Sequence, residues 1–294
     1  MLFQRILVPL DGSDLAQRAL SYAEAIARRK KSELILLSVV HTDIEHKEDR
    51  LHKSHLDITA EKLQAQGITV STAVVNGHVA EEIVDYSAKN NINLIIISTH
   101  GYSGVKRWML GSVAQKVLYS TGTPVLLVKS HAPPLVCANI NKILVPLDGS
   151  PFSETIFPYL ERLAAGTDTE AVLLEVVESP VVPSYGSRPI NPTWVKYRDS
   201  VWEELQQQAT EYLNNIQNDL AQKGIKLKPK VIKSELGEVA KKIIQIAHSE
   251  DTDLIIVATH GRTGVSHWMY GSVANKLVDE STQPLLLVRP EIPE

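Results

Sequence analysis

One motif occurs twice in this chain, and the repeat limits what the chain can fold into. Leu94-Ile95-Ile96-Ile97 leads into His100-Gly101-Tyr102-Ser103-Gly104 and on to Gly111-Ser112-Val113-Ala114. Leu254-Ile255-Ile256-Val257 leads in the same way into His260-Gly261-Arg262-Thr263-Gly264 and on to Gly271-Ser272-Val273-Ala274. Each copy has an apolar run suited to a strand buried on both faces, a glycine-punctuated loop, and the apolar spacing of a helix. The opening repeats too: Ile6-Leu7-Val8-Pro9-Leu10-Asp11-Gly12-Ser13 returns as Ile143-Leu144-Val145-Pro146-Leu147-Asp148-Gly149-Ser150. The chain is a duplication.

Within the first half the pattern predicts strands near 5–10, 33–40, 69–75, 93–99 and 124–129. Helices are predicted at 14–30, up to about 66, at 79–89 and at 112–119. Ser13 suits an N-cap and Gly67 a C-cap. Strands alternating with helices give an α/β fold, a parallel sheet covered on both faces. Two domains are expected, at 1–130 and 140–294, joined by a linker at 131–139 that holds Pro133-Pro134. The offset from Ile6 to Ile143 is 137 and from Gly101 to Gly261 is 160, so the second half carries 23 more residues. Val176 keeps the first offset to Val39 and Gly237 the second to Gly77, which brackets the insertion. It is expected as a surface loop at about 179–200, because 179–193 is rich in Pro, Gly and Ser.

A chain of 294 residues can bury two cores of ordinary size. Residues 1–138 carry 15 basic and 13 acidic side chains (net +2), and 139–294 carry 15 and 21 (net −6). Neither half offers the concentrated basic face that nucleic acid needs. The lone Cys137 excludes an internal disulfide and suits a reducing compartment. No apolar run reaches the length of a membrane span, and the start runs straight into a strand. A cytoplasmic location is the expectation.

In an open parallel sheet, ligands bind beyond the carboxyl ends of the strands, where the strand order reverses. Asp11, Val39 and the first glycine loop converge there, as do Asp148, Val176 and the second loop. Glycine permits backbone angles that a side chain forbids and lets a ligand approach the main chain. Gly111-Ser112 and Gly271-Ser272 open helices, so amide donors and a hydroxyl are expected to face an anion there. An acid, an apolar wall and such a cradle fit a nucleoside phosphate better than a bare anion. Asp-Gly-Ser alone reads equally well as a turn and helix cap.

Other residues carry less. His100 and His260 read first as turn residues with solvated rings, and Trp108, Met109, Trp268 and Met269 as packing for the loops. His41, His46, His52 and His55 match no compact set of metal ligands and have no counterpart in the second half. There is no Gly-x-x-x-x-Gly-Lys-Ser/Thr, no Gly-x-Gly-x-x-Gly after the first strand and no Gly-x-Ser-x-Gly. No base or set of metal carboxylates recurs, so a dedicated catalyst is not indicated.

Leu7-Val8-Pro9-Leu10-Asp11-Gly12-Ser13, then Ser98-Thr99-His100-Gly101, nine residues, and Gly111-Ser112-Val113-Ala114 together resemble the universal stress protein family. The resemblance spans nearly all of both halves, as in a tandem member. It implies a five-stranded sheet of order 3-2-1-4-5 in each half, Rossmann-like in the manner of the adenine nucleotide alpha hydrolases. It also implies ATP in each half, with or without Mg2+, and a stress-response role as a nucleotide-dependent binding or regulatory module. The nucleotide residues it implies are Pro9, Asp11, Val39, Ser98, Thr99, His100, Gly101, Gly111, Ser112 and Val113 in the first half. In the second they are Pro146, Asp148, Val176, Ala258, Thr259, His260, Gly261, Gly271, Ser272 and Val273. The two halves are expected to pair through their last strands, 124–129 and 284–288, with a homodimer left open. The pattern of ATP-binding members is Gly, two residues, Gly, nine residues, Gly, then Ser or Thr. Ser98 and Ala258 replace its first glycine, so a tightened pocket is expected, more so at Ser98. The alternatives are an interaction protein without nucleotide, as in members lacking the glycines, and a weak ATPase.

Overall fold

A computed structural model of the chain describes residues 2–40, 46–99, 110–129, 132, 135, 139–181, 192–261 and 270–290. The first half runs β1 (Arg5–Pro9), α1 (Asp14–Lys30), β2 (Glu33–Val40), α2 (His46–Gln64), β3 (Thr69–Asn76), α3 (Val79–Lys89), β4 (Leu94–Ser98), α4 (Ser112–Ser120) and β5 (Val125–Val128). The second runs β6 (Lys142–Leu147), α5 (Pro151–Glu154), α6 (Phe157–Ala164), β7 (Glu170–Glu178), α7 (Pro192–Ala221), β8 (Lys226–Ser234), α8 (Val239–Ser249), β9 (Leu254–Ala258), α9 (Ser272–Glu280) and β10 (Leu285–Val288).

The strands form one ten-stranded sheet, ordered β3-β2-β1-β4-β5-β10-β9-β6-β7-β8. Within each half neighbouring strands are parallel. At the centre β5 and β10 run antiparallel, with Leu285 opposite Leu127 and Leu287 opposite Val125. Alternate strand residues feed two apolar layers. Ile6, Val8, Leu34 and Leu36 join Ile143, Val145, Ala171 and Leu173 on one face. Leu7, Ile35 and Leu37 join Leu144, Val172 and Leu174 on the other. Each such Val, Leu or Ile side chain, fully buried, contributes about 1.5–3 kcal/mol.

The helices keep their sequence signals. Ser13 Oγ accepts from Ala16 N at 3.2 Å, and Arg28, Arg29 and Lys30 occupy the last turn of α1. In the second half the same helix is split into α5 and α6. A proline at 158 would clash with the carbonyl of residue 154 in a continuous helix. Restarting at Phe157 puts Pro158 in a first turn, where a missing N–H costs nothing.

The insertion is not the loop expected at 179–200. Residues 182–191 lie outside the described residues, but 192–200 are helical, and α7 has 30 residues against 19 in α2. Pro192 opens the helix, and no glycine or proline follows within it. Trp202 Nε1 donates to the Val177 carbonyl at 3.0 Å, and Lys233 Nζ lies 5.0 Å from its ring, which fastens α7 over the sheet. Gly67 and Gly224, both at positive φ, are 157 residues apart, so 20 of the extra residues precede Gly224 and three lie between it and Gly237, one in the longer β8 and two after it.

Around the β5–β10 boundary, each half reaches into the last turn of the other's helix. Lys129 Nζ donates to the Val278 carbonyl in α9, and Arg289 Nη2 donates to the Tyr119 carbonyl in α4 at 3.3 Å. Cations at helix C-termini are favoured by the macrodipole. Tyr270 Oη donates to the Leu118 carbonyl at 2.7 Å, and the Tyr119 and Tyr270 rings meet edge to face at 4.9 Å. Burial pulls the Lys129 ammonium down to about 8, opposed in part by Asp279.

Candidate functional site

The Asp-Gly-Ser turn is built as a cap and as a wall at once. Gly149 has φ 76°, an angle that favours glycine. Asp148 Oδ1 accepts from Ser150 N at 3.0 Å and from Ser150 Oγ at 2.6 Å, and Ser150 Oγ accepts from Ser153 N at 3.2 Å. The other carboxylate oxygen, Oδ2, lies against Gly261, where a Cβ would overlap it. In the first half Gly12 has φ 81° and Asp11 Oδ1 accepts from Ser13 N at 3.0 Å.

The loop-to-helix junctions match between halves. Thr259 N donates to Val288 O at 2.8 Å, Gly271 N to Thr259 O at 2.8 Å, and Asn275 N to Gly271 O at 3.0 Å. Thr99, Gly111 and Gln115 repeat the arrangement with Val128, Thr99 and Gly111. The glycine N–H is therefore engaged, contrary to the expectation of free donors at Gly111 and Gly271. The donors that helix geometry leaves ahead of Asn275 are the N–H groups of Ser272, Val273 and Ala274. Nor does either glycine need a special backbone angle, since φ is −63° at Gly111 and −58° at Gly271. A Cβ on Gly271 would meet Thr259 O at 3.5 Å, an ordinary contact. Among the described residues nothing requires glycine at 271.

All ten residues named for the second half line a single cleft of ≈ 550 Å³, within the ~300–1,000 Å³ typical of small-molecule sites. The cleft runs from the α9 N-terminus, across Asp148 after β6, to the end of β7. His260 is 8% exposed, so its ring is not solvated as expected. Its Nδ1 lies 2.9 Å from Thr259 Oγ1, and the ring stacks on Tyr270 at 6.4 Å.

Sequence reasoning missed the β7 end of this cleft, lined by Glu175, Glu178, Gln208 and Tyr212. Tyr212 Oη donates to Glu154 Oε1 at 3.0 Å, and burial together with Glu154 and Glu175 holds its phenol well above the usual range. Glu178 Oε1 accepts from Gly237 N at 2.6 Å. Glu175 was legible as an acid inside the apolar run Val172-Leu173-Leu174-Glu175-Val176-Val177. The α7 residues are not, because the Pro-, Gly- and Ser-rich stretch ahead of them hides the start of the helix.

In the first half Pro9, Asp11, Val39, Ser98, Thr99, Gly111, Ser112 and Val113 lie at or just beyond the carboxyl ends of β1, β2 and β4 and at the start of α4. His100 and Gly101 lie outside the described residues, as do His41, Trp108, Met109, Cys137, Trp268 and Met269. His52 Nδ1 lies 3.0 Å from Ser38 Oγ and ties α2 to β2, while His55 is exposed. Among the described residues no group of three or more His, Cys, Asp or Glu could hold a metal ion. Among them, too, no helix is long and apolar enough to cross a membrane.

Comparison with known proteins returns one family. A family model described as the universal stress protein family matches residues 2–129 and again 139–289. The universal stress protein YxiE of Bacillus subtilis is 32% identical over 148 residues, 44% of this chain and 100% of that protein. A universal stress protein of Mycolicibacterium smegmatis is 24% identical over 228 residues, 77% of this chain and 71% of the relative. The crystal structure of a universal stress protein from Archaeoglobus fulgidus superposes with a TM-score of 0.70 at 21% identity, covering 100% of this chain and 99% of that one.

Proposed function

The chain belongs to the universal stress protein family, and from that premise we propose that each half binds an adenine nucleotide, ATP, as a regulatory module of the stress response. The observation that carries this reading is Gly271. Its backbone angles suit any residue and the described residues around it would accept a Cβ, which supports a ligand beside the α9 N-terminus, where the cleft opens. The phosphates lie there, against the N–H groups of Ser272, Val273 and Ala274, where a helix N-terminus carries roughly half a positive charge. The ribose follows Asp148, and the base reaches Val176 at the end of β7.

Each residue type suits its part. Amide donors and a dipole favour the phosphate charge, Asp148 accepts from sugar hydroxyls, and Val176, Val239 and Ile243 give the base an apolar wall. Mg2+ enters with the phosphates and is neutralised mainly by them. The first half repeats the scheme with Asp11, Val39, Gly111 and Ser112. A cytoplasmic location, domains at 1–130 and 140–294 with a linker at 131–139, and action as a single chain or a homodimer belong to the same proposal. Mass spectrometry of small molecules released from gently purified, then denatured, protein tests it. An adenine nucleotide supports the reading. An empty protein that also gives no heat with ATP supports the interaction role instead.

A further inference from the structure

The two outer edges of the sheet are built differently. Among the described residues β3 and β8 are its outermost strands. Gly77 N donates to Val40 O, so alternation turns the N–H and C=O groups of Thr72, Val74 and Asn76 away from β2, toward the outside. Ser179 N donates to Ser234 O, which in the same way turns Leu227, Pro229, Val231 and Lys233 outward in β8. A glutamine of the preceding helix takes one outward carbonyl on each edge. Gln64 Nε2 donates to Val70 O at 3.0 Å, and Gln217 Nε2 to Leu227 O at 3.1 Å. The two edges therefore match at an offset of 157, and Pro229 stands where the first half has Thr72. The same offset sets Lys226, Lys228, Lys230 and Lys233 against Thr69, Ser71, Ala73 and Asn76.

β8 is thus guarded. Its proline removes an outward donor, and lysines along an edge deter strand pairing. Lys226 and Lys230 are paired with Asp168 and Glu250, so the proline is the firmer obstacle. β3 has neither proline nor charge over its eight residues. The glutamine cannot explain the difference, because both edges have one. An edge left open in this way is a template for another strand.

We propose that β3 pairs with β3 of a second copy of this chain, antiparallel about a two-fold axis at Val74, so that one sheet runs through both molecules. The proposal gives the homodimer named above an interface and does not depend on nucleotide. With the axis at Val74, Thr72 meets Asn76 of the copy, and all three outward residues exchange N–H and C=O across the contact. Ala73 then stands opposite Val75 of the copy, an uncharged cross-strand pair. The chain already joins its own halves in this manner, since the apolar β5 and β10 pair antiparallel at the centre of the sheet. The guarded edge points to a copy as the occupant. Pairing of β3 with β8 of the next molecule would repeat without end, and Pro229 blocks that route. The symmetric contact remains, and it closes at two copies.

Sedimentation equilibrium of the full-length protein, from low to high micromolar concentration and without nucleotide, tests this. The mass should rise from 32.5 kDa toward twice that value. Thr72→Pro, which copies Pro229, and Ala73→Lys, which copies Lys230, should each hold it at 32.5 kDa with the circular dichroism of the parent. Where a variant loses that spectrum, hydrogen exchange of the unmodified chain decides. The amides of Thr72, Val74 and Asn76 should exchange more slowly in the concentrated sample, while those of Val231 and Lys233 keep their rates. A protein that stays at 32.5 kDa, with exchange in β3 independent of concentration, overturns the proposal. So does a dimer that persists undiminished in either folded variant, since its contact then lies elsewhere. Both failures leave the nucleotide reading standing, because no nucleotide enters the measurement.

Discussion

Asp148 Oδ2 rests on the α-carbon of Gly261, so closely that a Cβ at 261 would occupy the same space. The glycine is thus required by the protein's own carboxylate, whereas nothing among the described residues requires the one at 271, ten residues on. Two glycines of one loop carry different meanings, and they separate in experiment.

Gly261→Ala should destabilise the chain by about 1–3 kcal/mol, the usual cost of forcing extra volume into a packed site. Combining it with Asp148→Ala should recover part of that loss, because residues in contact couple by about 0.5–3 kcal/mol. Chemical denaturation of both single variants and the pair measures this. Simple additivity would mean that the two groups do not meet.

Gly271→Val should leave the unfolding midpoint nearly where it was, within the ~1 kcal/mol that a poorer N-cap costs. Its ATP binding should fall sharply, because the branched side chain would fill the space proposed for the phosphates. One site should survive in Gly271→Val and one in Gly111→Val. The tighter should survive in Gly111→Val, since Ala258 is smaller than Ser98. Full-strength ATP binding in the double variant would show that both glycine loops are structural turns.

Residues 1–138 produced alone should be less stable than the whole chain or should self-associate. β5 is buried along its whole length and would become an open apolar edge without β10. Sedimentation of the fragment gives the answer. A monomer as stable as the parent defeats the expectation.

Stability should rise between about pH 8 and 10. Lys129 is held near 8 in the fold and lies near 10.4 when unfolded. In that window the unfolded chain binds more protons, so the sign is stabilising as pH rises, to an extent of about 3 kcal/mol at most. Above pH 10 the raised Tyr22, Tyr119, Tyr212 and Tyr270 reverse the trend, since the folded chain then holds the extra protons. Lys129→Met should flatten the rise in a series of denaturation curves. A rise that persists in this variant would assign it to another group.

The fold was legible because its signals are local and repeated. The bounds of α1 follow from Ser13 at one end and a basic run at the other, and β5 and β10 from four apolar residues each. That Gly261, Gly271 and Ser272 line one side of the candidate cleft was legible for the same reason, since they sit close together in sequence. The opposite wall was not. Tyr212 and Gln208 come from a helix whose start is hidden behind a proline-rich stretch, and their approach to Glu175 depends on how α7 crosses β7. Pattern also misjudged His260, which is buried and stacks on Tyr270, a residue tied in turn to the Leu118 carbonyl of the other half.

The junction of β5 with β10 bears on how the halves have diverged. When two identical subunits build such a sheet, every change in one site is copied into the other. Here the partner strand is carried on the same chain, so a change can enter one site and leave its twin as it was. Ser38 and Glu175, a 19-residue helix and a 30-residue one, are differences of that kind. A molecule so joined can hold two unequal affinities for one ligand, and its response then spreads over a wider range of concentration than one affinity allows.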